Sequence, residues 1–423
     1  MTRRNLPAAP TLPEAVPVPP DLVVDTRTYR FISYVFGGGV RLDGAKKPFD
    51  PFTPVRVPSV RGQLRFWWRA CNPSRCETVD ALGAREQEIF GGIRGGKTPE
   101  DEQTVRSKVE IRVVRNLSAP ALKKVLSGEF GAEKGMEGLA YGAFPLRGEK
   151  ENHVKVDNHG TLWHYGDREF ELELRYPEKL RADVEAALWA WATFGGLGGR
   201  TRRGFGAIRQ TAPGLPGVDD GWTKYVRAVG GEKPLWPRLS VAPSNNVRRL
   251  VPQRDAKAAH ERLLKTLQTL RQGAGVGRER AFGRSLWPEP DALRRITGMS
   301  RPRHPDQMTR ADVFPRAAFG LPITFRFKDQ GDPPESTLVP ACSQRDASTL
   351  LLRPYVDGNG THALAVRLSK PPLPGGVTLD GRQKVLRVDV NDGDVQGLGR
   401  HSPLVRNGRV IDPISRYFEE LSK

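Results

Sequence analysis

The chain has 423 residues, and its 67 lysines and arginines against 48 aspartates and glutamates give a formal net charge of +19 at pH 7. This length predicts two or three domains, each large enough for its own core. Hydrophobic residues make up 38% of the chain and mean hydropathy is −0.50, which excludes an integral membrane protein and a fully disordered chain. The positive charge argues against an enzyme of neutral metabolites and favours a polyanionic partner, nucleic acid first.

The number of cysteines and the composition of the N-terminal segment indicate the cellular compartment of the protein. Cys71, Cys76 and Cys342 are too few for a disulfide framework and fit a reducing environment. No second cysteine or histidine pair follows Cys71 and Cys76 at zinc-site spacing, so we expect no metal or other cofactor. Residues 1–20 are rich in proline and lack an apolar helix-forming region, which predicts a disordered arm rather than an export signal. We therefore predict a cytoplasmic protein without membrane contact.

Helix and strand patterns alternate in the first half of the chain. Their order is strand, helix, two strands, helix, strand, which is the order of a ferredoxin-like or RNA-recognition-type α+β unit. The predicted elements are a strand at 25–36, a helix at 59–71, strands at 108–115 and 168–176, a helix at 181–194 and a strand at 204–210.

A stretch of prolines, glycines and aspartates at residues 213–221 predicts a domain boundary. We expect an N-terminal ferredoxin-like domain over 21–215 and a C-terminal one over 216–423. Residues 245–316 contain 16 basic and 7 acidic residues, which predicts a basic insertion, either a second basic surface or a segment docked on a partner. The predicted elements of this half are strands at 239–250, 321–327, 363–368 and 384–390 and a helix at 257–270.

Residues 91–98 match the phosphate-binding pattern GxxxxGK[ST] letter for letter. That loop binds phosphate because a buried strand enters it and a helix leaves it, which aims backbone amides at the ligand. Here the polar residues 85–88 precede the loop, and Pro99 and an acidic run follow it. We interpret the segment as a flexible basic loop and expect no nucleoside triphosphatase.

A second glycine-rich segment, residues 195–206, combines six glycines with three arginines. It follows a helix and precedes a strand, whereas a dinucleotide-binding loop needs the opposite order. Glycines let backbone amides approach a phosphate chain, and arginine forks bind phosphate through paired hydrogen bonds. The alternative is a turn with exposed arginines, but the overall charge favours RNA contacts. The predicted contacts are Gly198, Gly199, Arg200, Arg202 and Arg203.

The predicted helix at 59–71 has two stripes. Apolar residues at positions 60, 64, 67 and 71 repeat at helical spacing and predict a face in the core, tryptophans included. Arg61, Arg65 and Arg69 repeat every four residues, Arg56 precedes them, and no acidic residue lies between positions 56 and 75. Because an unpaired row of arginines repels itself, we expect an RNA anion on it.

Further candidates lie outside these two segments. Lys46 and Lys47, in the loop after the first strand, and the pair Arg248 and Arg249 complete the predicted RNA contacts. A histidine acting in acid–base cleavage of RNA remains an alternative, because three histidines fall close together in sequence. These histidines are His153, His159 and His164.

Several segments together resemble a known family. Residues 36–39, 57–70 (VPSVRGQLRFWWRA), 88–92 and 107–109 closely resemble the first-subunit family of the Cmr complex, the type III-B CRISPR RAMP module. The run at 195–206 resembles the glycine-rich loop of the wider RAMP superfamily, and residues 314–322 are similar to the second half of that subunit family. The resemblance covers most of residues 25–370; the arm at 1–20 and the far C-terminus lie outside it.

The resemblance implies tandem ferredoxin-like RAMP domains in a non-catalytic, backbone-type subunit of an antiviral ribonucleoprotein. Such a subunit would help hold the 3′ part of the CRISPR RNA and the captured target RNA beside the other Cmr subunits. Target cleavage in these complexes is attributed to another subunit, through an aspartate in the loop after its first strand, and Asp43 and Asp50 occupy a comparable loop here. The alternative hypothesis is a metal-independent RAMP-type ribonuclease that processes precursor CRISPR RNA.

Overall fold

The computed structural model describes residues 20–36, 55–94, 103–117, 123–126, 135–144, 150–151, 154–155, 161–229, 233–281, 283–301, 309–380 and 384–423. The helices are α1 Val57–Cys71, α2 Val79–Phe90, α3 Glu137–Gly142, α4 Arg181–Phe194, α5 Val218–Tyr225, α6 Ala256–Gln272, α7 Glu289–Thr297, α8 Val395–Leu398 and α9 Pro413–Leu421. Short 3₁₀ turns lie at Glu178–Leu180, Thr201–Arg203, Pro315–Phe319 and Asp392–Asp394. None of the described helices is both long and apolar enough to cross a membrane.

The described strands form one four-stranded sheet, three three-stranded sheets and three short pairs. The strands are β1 Leu22–Phe31, β2 Val35–Phe36, β3 Gly92–Arg94, β4 Gln103–Val105, β5 Glu110–Arg115, β6 Lys123–Leu126, β7 Lys150–Glu151, β8 Val154–Lys155, β9 Thr161–His164, β10 Glu169–Pro177, β11 Ile208–Ala212, β12 Val247–Arg249, β13 Ile323–Phe325, β14 Ser336–Pro340, β15 Leu350–Asp357, β16 Gly360–Arg367, β17 Val377–Leu379, β18 Val405–Arg406 and β19 Arg409–Val410.

The first half forms a four-stranded antiparallel sheet in the order β11-β1-β10-β5. Among themselves these are the fourth, first, third and second strands along the chain. Helix α1 follows the first of them and α4 follows the third. This is the ferredoxin-like arrangement, so the predicted α+β class is confirmed for this half.

Both helices cover one face of that sheet. In β10 every second residue is buried, from Phe170 to Tyr176, because the pleat sends alternate side chains to opposite faces. Trp67 is 2% exposed, as the helical spacing predicted, and Trp191 lies with its ring centroid 5.1 Å from that of Tyr29. The indole Nε1 of Trp68 donates to Asp183 at 2.7 Å, which joins α1 to α4 within the core.

The second half repeats this plan with three strands. The sheet order is β12-β16-β15, with α6 after its first strand and α9 after its third. The Tyr417 hydroxyl of α9 donates to the Leu263 carbonyl of α6 at 2.9 Å, so the two helices pack together. The order first, third, second is again ferredoxin-like, and the described residues place no strand in the fourth position. The predicted tandem ferredoxin-like fold is therefore confirmed, except that three strands rather than four are described for the second unit.

The predicted insertion is divided in the structure: β12 and α6 belong to the second ferredoxin-like unit, while the part around α7 joins the sheet β13-β14-β17 in a small unit, called the insertion from here on. Arg294 is buried there and donates to both Asp291, at 2.8 Å, and Asp332, at 3.0 Å. Arg284, Arg295 and Arg301 also pair with carboxylates of the insertion. These four arginines hold the insertion together, so the interpretation as a second basic surface is wrong for them.

The predicted helices agree better with the structure than the predicted strands. Helix α4 has the predicted bounds, and α1 starts two residues earlier than expected, with Arg56 at its N-cap. The strand predicted at 239–250 is reduced to β12. The segment 384–390 pairs only through isolated bridges at Leu386 and Arg387, which have different partners, so no ladder forms.

Several elements were not predicted from the sequence, and two of them are informative. Strand β15 is buried on both faces from Leu350 to Tyr355, so it lacks the alternation of a half-exposed strand. Helix α2 immediately precedes the glycine-rich segment at 91–98. A helix therefore stands where a phosphate-binding loop requires a strand, while Lys97 lies outside the described residues.

A buried arginine joins the two ferredoxin-like units. Arg353 in β15 is 2% exposed and donates from Nη1 to the Gly195 carbonyl at 2.8 Å and from Nη2 to the Ile208 carbonyl at 2.6 Å. Both carbonyls belong to the first unit. Its Nε donates to the Pro354 carbonyl at 3.0 Å. Burial lowers the pKa of this guanidinium to about 9, because no carboxylate compensates for the lost hydration.

We expect Arg353→Leu to destabilise the whole chain by about 3 kcal/mol or more, because it leaves at least two buried carbonyls without a donor. The free energy of unfolding in urea measures this loss. Arg409→Leu, on the exposed hairpin β18–β19, removes the same charge and is expected to cost less than about 0.5 kcal/mol. Equal stability of the two variants would contradict a joining role for Arg353.

Candidate nucleic-acid interface

The glycine-rich segment 195–206 connects α4 to β11 at the junction of the two units. It closes on itself, since the Leu197 amide donates to the Gly206 carbonyl at 2.9 Å. It is also tied to the end of β1 by the Ser33 hydroxyl, which donates to the Gly204 carbonyl at 2.7 Å. The segment is therefore a fixed part of the fold.

Packing explains two of the glycines. Gly206 has φ +66°, and a Cβ there would lie 1.8 Å from the Leu197 carbonyl oxygen. Gly204 has φ +82°, and a Cβ there would lie 2.7 Å from Nε2 of His260. These positions need glycine for close approach of protein to protein. Gly198 is exposed with φ +85°, and its predicted RNA contact, like that of Gly199, stays a prediction.

His260 in α6 connects the second unit to the same segment. Its Nε2 lies 2.6 Å from the Arg203 carbonyl oxygen, and its ring contacts Phe205 edge-on at a centroid distance of 4.8 Å. The carbonyl can only accept, so Nε2 carries the proton in this hydrogen bond. Burial lowers the pKa of His260 to about 4, which keeps the imidazole neutral at physiological pH.

The arginines of this segment face a cavity between the two units. The cavity has a volume of about 760 Å³. Five arginines line it, together with one aspartate, Asp346, which forms an ion pair with Lys370. The five are Arg200, Arg202 and Arg203 of the segment, Arg271 at the end of α6 and Arg326 after β13.

Three guanidinium groups of the cavity are held by neutral partners, whereas Arg326 pairs with the Glu335 carboxylate at 2.5 Å. Arg203 donates to the Phe319 carbonyl at 2.7 Å, Arg202 donates to the Ser348 carbonyl, and Arg271 donates to the Tyr141 hydroxyl at 2.7 Å. Buried nitrogens of Arg200, Arg203 and Arg271 have no hydrogen-bond partner within the described part of the chain. Donors that are buried and unpaired favour an anionic acceptor.

The lowered pKa values of the arginines in the cavity also favour an anionic ligand. Burial, together with the positive charges of Arg271 and Arg200, lowers the pKa of Arg203 to about 10. The pKa of Arg200 is also lowered, first by burial and then by Arg271. The protonated forms are therefore disfavoured by their surroundings, and a bound anion would relieve this cost. We call this cavity the junction pocket.

The arginine row of α1 has a different environment from the one predicted. Arg65 lies 2.5 Å from the Glu86 carboxylate of α2, and Arg69 pairs with the same carboxylate oxygen. The premise of an unpaired row is wrong, because the compensating acid lies in the next helix. No local pattern in residues 56–75 could show this. Arg56 and Arg61 have no carboxylate partner in the described structure, and their RNA contacts stay predictions.

Arg248 and Arg249, also predicted contacts, do not line the junction pocket. Arg249 pairs with Asp357 at 3.3 Å and Asp219 at 3.7 Å, while Arg248 lies over the Phe418 ring at 5.2 Å. One link does connect α1 to the glycine-rich segment, since Arg202 lies over the ring of Phe66 at 5.4 Å. Lys46, Lys47, Asp43 and Asp50 lie outside the described residues.

Sequence reasoning missed several residues of the junction pocket. Arg271 and Tyr141 lie about 130 residues apart and meet only in the folded chain. Of the three clustered histidines, His164 is described, at a ring-centroid distance of 5.4 Å from Tyr34; His153 and His159 are not. Within the described ranges, no three His, Cys, Asp or Glu side chains are grouped to hold a metal ion.

Comparisons with known proteins agree with the sequence resemblance. Residues 28–209 match the family model described as RAMP superfamily. The CRISPR system Cmr subunit Cmr1-1 of Pyrococcus furiosus is 30% identical over 163 residues, which cover 37% of this chain and 41% of that protein. The chain thus aligns with about two fifths of the length of this relative. The predicted resemblance to the RAMP superfamily and to a Cmr subunit is confirmed over the matched part.

Two solved structures are similar over longer stretches at lower identity. The crystal structure of Cmr1 from Pyrococcus furiosus in its apo form is 16% identical, with a TM-score of 0.48, and the match covers 85% of this chain and 94% of that one. A chain of the type III-B Cmr-beta complex bound to cognate target RNA is 10% identical, with a TM-score of 0.37. That match covers 90% of this chain and 98% of the other.

We expect the double variant Arg65→Gln/Arg69→Gln to lose about 1–3 kcal/mol of stability, because the Glu86 carboxylate, 9% exposed, would be left without its two donors. Urea unfolding measures the loss. Arg56→Gln/Arg61→Gln removes the same charge from the same helix without breaking an ion pair of the described structure. An unchanged stability of the first variant would show that the ion pairs with Glu86 do not hold α1 and α2 together.

His260 predicts a pH dependence of stability. Its pKa is about 4 in the fold, against 6.5 for a histidine in the unfolded chain, so stability that is full above pH 6.5 is lost as the pH falls towards 4. At pH 5 the expected loss is about 2 kcal/mol relative to neutral pH. Urea titrations between pH 7.5 and 4.5 measure it. His260→Gln removes the titrating group, and an identical pH profile for this variant would contradict the assignment.

Proposed function

We propose that this chain, whose residues 28–209 match the RAMP superfamily, is an RNA-binding structural subunit of a type III-B CRISPR effector complex. It would help hold the 3′ part of the CRISPR RNA and the captured target RNA for antiviral defence. The observation that carries the proposal is the junction pocket, in which four arginines without a carboxylate partner among the described residues line one cavity, while its fifth arginine and its aspartate are each already paired. The similarity to a Cmr subunit supports the assignment to this complex.

The side chains on the open face of the first unit's sheet suit RNA less well than the arginines at the junction. RNA-recognition domains bind single strands through aromatic side chains on this face. Here the side chains of β10 on that face include Glu169, Glu171 and Glu173, while its aromatic residues point towards the helices. Arg115 and Arg175 pair with these glutamates, and no aromatic ring of β10 is free for stacking, so the arginines at the junction offer the better surface.

We propose no catalytic role for the chain. The alternative ribonuclease needs an acid–base group beside the bound RNA. Of the described histidines, His260 is buried and its imidazole is occupied by the Arg203 carbonyl. The test is incubation of the purified chain with CRISPR repeat RNA. We expect the RNA to stay intact, and cleavage at a defined position that is lost on His164→Ala would favour the ribonuclease instead.

The assignment to the complex has its own experiment. The chain is co-expressed with the other subunits of a type III-B complex and a CRISPR RNA, and the assembly is isolated through a tag on another subunit. We expect the chain in the assembly and ultraviolet crosslinks between the guide RNA and the segment 195–206. An assembly that forms fully without this chain, or crosslinks confined to other segments, would overturn the proposed position.

Single-stranded RNA binding by the chain alone is expected to weaken steeply with salt, because each phosphate contact releases counterions. Fluorescence anisotropy with a labelled oligouridylate 12-mer measures the affinity between 50 and 200 mM salt. Arg200→Gln/Arg271→Gln is expected to lower the slope of log K against log salt by about 1.4, about 0.7 for each lost contact.

The matched control is Arg409→Gln/Arg406→Gln on the hairpin β18–β19, which removes two charges away from the junction pocket. We expect its slope to equal that of the wild type. Equal loss of slope in both double variants would mean that overall charge, not the junction pocket, binds the RNA.

A further inference from the structure

Three guanidinium groups and one hydroxyl group converge in the junction pocket. The guanidinium groups belong to Arg200 and Arg203 of the glycine-rich segment and to Arg271 at the end of α6, and the hydroxyl group belongs to Tyr141 of α3. The charge of Arg271 lowers the pKa of both Arg200 and Arg203, and Tyr141 acts on the same two in the opposite direction. Because such interactions weaken with distance, the four groups surround one point rather than forming a row. We call the three arginines the arginine triad.

The positive charge of the arginine triad is not compensated by a carboxylate of the described residues. Asp346 is the one carboxylate that lines the pocket, and it is paired with Lys370. No hydrogen bond or ion pair joins Arg200 to any part of the chain that the structure describes. The triad therefore offers three positive charges to one ligand.

Arg200 also has a backbone conformation that favours glycine. Its φ is +58°, in the left-handed region that residues with a side chain rarely adopt. Such a conformation costs free energy, and costs of this kind are concentrated at ligand-binding sites. An arginine at this position, without a partner among the described residues, is explained by a ligand that its guanidinium group binds.

We propose that the arginine triad and the Tyr141 hydroxyl hold the terminal phosphate of an RNA strand, a phosphomonoester. This inference rests on the proposed function and specifies which part of the RNA the junction pocket takes. A phosphate within the strand carries one negative charge and has two free oxygens. A terminal phosphate carries about 1.5 to 2 negative charges at pH 7 and has three free oxygens, one for each guanidinium group. It therefore compensates more of the triad's charge.

The Tyr141 hydroxyl supplies a fourth donor. Its oxygen accepts from Nη1 of Arg271 at 2.7 Å, and it has no acceptor of its own within the described ranges, so its proton is available to a phosphate oxygen. Helix α3 is anchored by Glu261 of α6, whose carboxylate accepts from the Gly138 amide at 2.6 Å and the Leu139 amide at 2.7 Å. The hydroxyl group is thus held beside the triad. The cavity of about 760 Å³ leaves room for the sugar of the last nucleotide.

The experiment compares four unlabelled oligouridylates as competitors of a labelled one, by anisotropy with the full-length protein. They are a 12-mer with a 3′-phosphate, a 12-mer with a 5′-phosphate, and a 12-mer and a 14-mer with hydroxyl groups at both ends. The 14-mer carries about the same charge as the phosphate-ended 12-mers, so it controls for charge alone. We expect a phosphate-ended 12-mer to bind about 10- to 150-fold more tightly than the 14-mer, the range of one charge-assisted hydrogen bond. The position of the favoured phosphate identifies the end of the strand.

Two variants assign the preference to the site. Arg200→Gln is expected to abolish it while the 14-mer still binds, which also shows that the variant is folded. Tyr141→Phe keeps the charge of the site and is expected to reduce the preference about 2- to 10-fold. The matched control is Tyr225→Phe, which removes a hydroxyl group of α5 that contacts Glu185 away from the pocket, and we expect it to keep the full preference.

If wild type binds the 14-mer as tightly as both phosphate-ended 12-mers, this inference is overturned while RNA binding stands. A preference that survives both Arg200→Gln and Tyr141→Phe would also overturn it, because the phosphate would then lie elsewhere. If wild type binds none of the four oligomers, the proposed function itself fails.

Discussion

The fold depends on a guanidinium buried between two units that has carbonyl oxygens as its hydrogen-bond partners. Arg353 fixes Gly195 at the start of the glycine-rich segment and Ile208 just after it, so the segment has both ends attached to the second unit. His260 holds its middle through the Arg203 carbonyl. With its main chain fixed in this way, the segment presents three arginine side chains at one cavity.

The arginines that contribute to the net charge of +19 fall into two groups, which differ in their hydrogen-bond partners. Arg65 and Arg69 of α1 and Arg294 of α7 are matched by carboxylates that the fold brings to them, Glu86 and Asp332. In the junction pocket, Arg202, Arg203 and Arg271 have carbonyl and hydroxyl groups as partners, which leave their positive charge uncompensated. A count of charges in the sequence cannot separate these two groups of arginines, because their partners are distant along the chain.

Much of the fold could be predicted from periodicity, and the failures have physical reasons. Helix α4 is apolar on nearly all sides and ends at glycines, so its bounds Arg181–Phe194 followed from the sequence. Strand β15 is buried on both faces and gave no alternation, while 384–390 alternates but finds no continuous partner strand. Of the site, the arginines of 195–206 were predicted; Arg271, Tyr141 and Phe144 join them only through tertiary packing of α3 on α6.

The hydrogen bonds of segment 195–206 have a consequence for folding cooperativity. The segment belongs to the chain of the first unit, but the donors to its Gly195 and Arg203 carbonyls belong to the second unit. Melting of the second unit would therefore expose buried carbonyls in the first, and the free energy of one unit includes contacts made by the other. The two halves are coupled into a single unfolding transition, although each has the chain order of an independently folding domain.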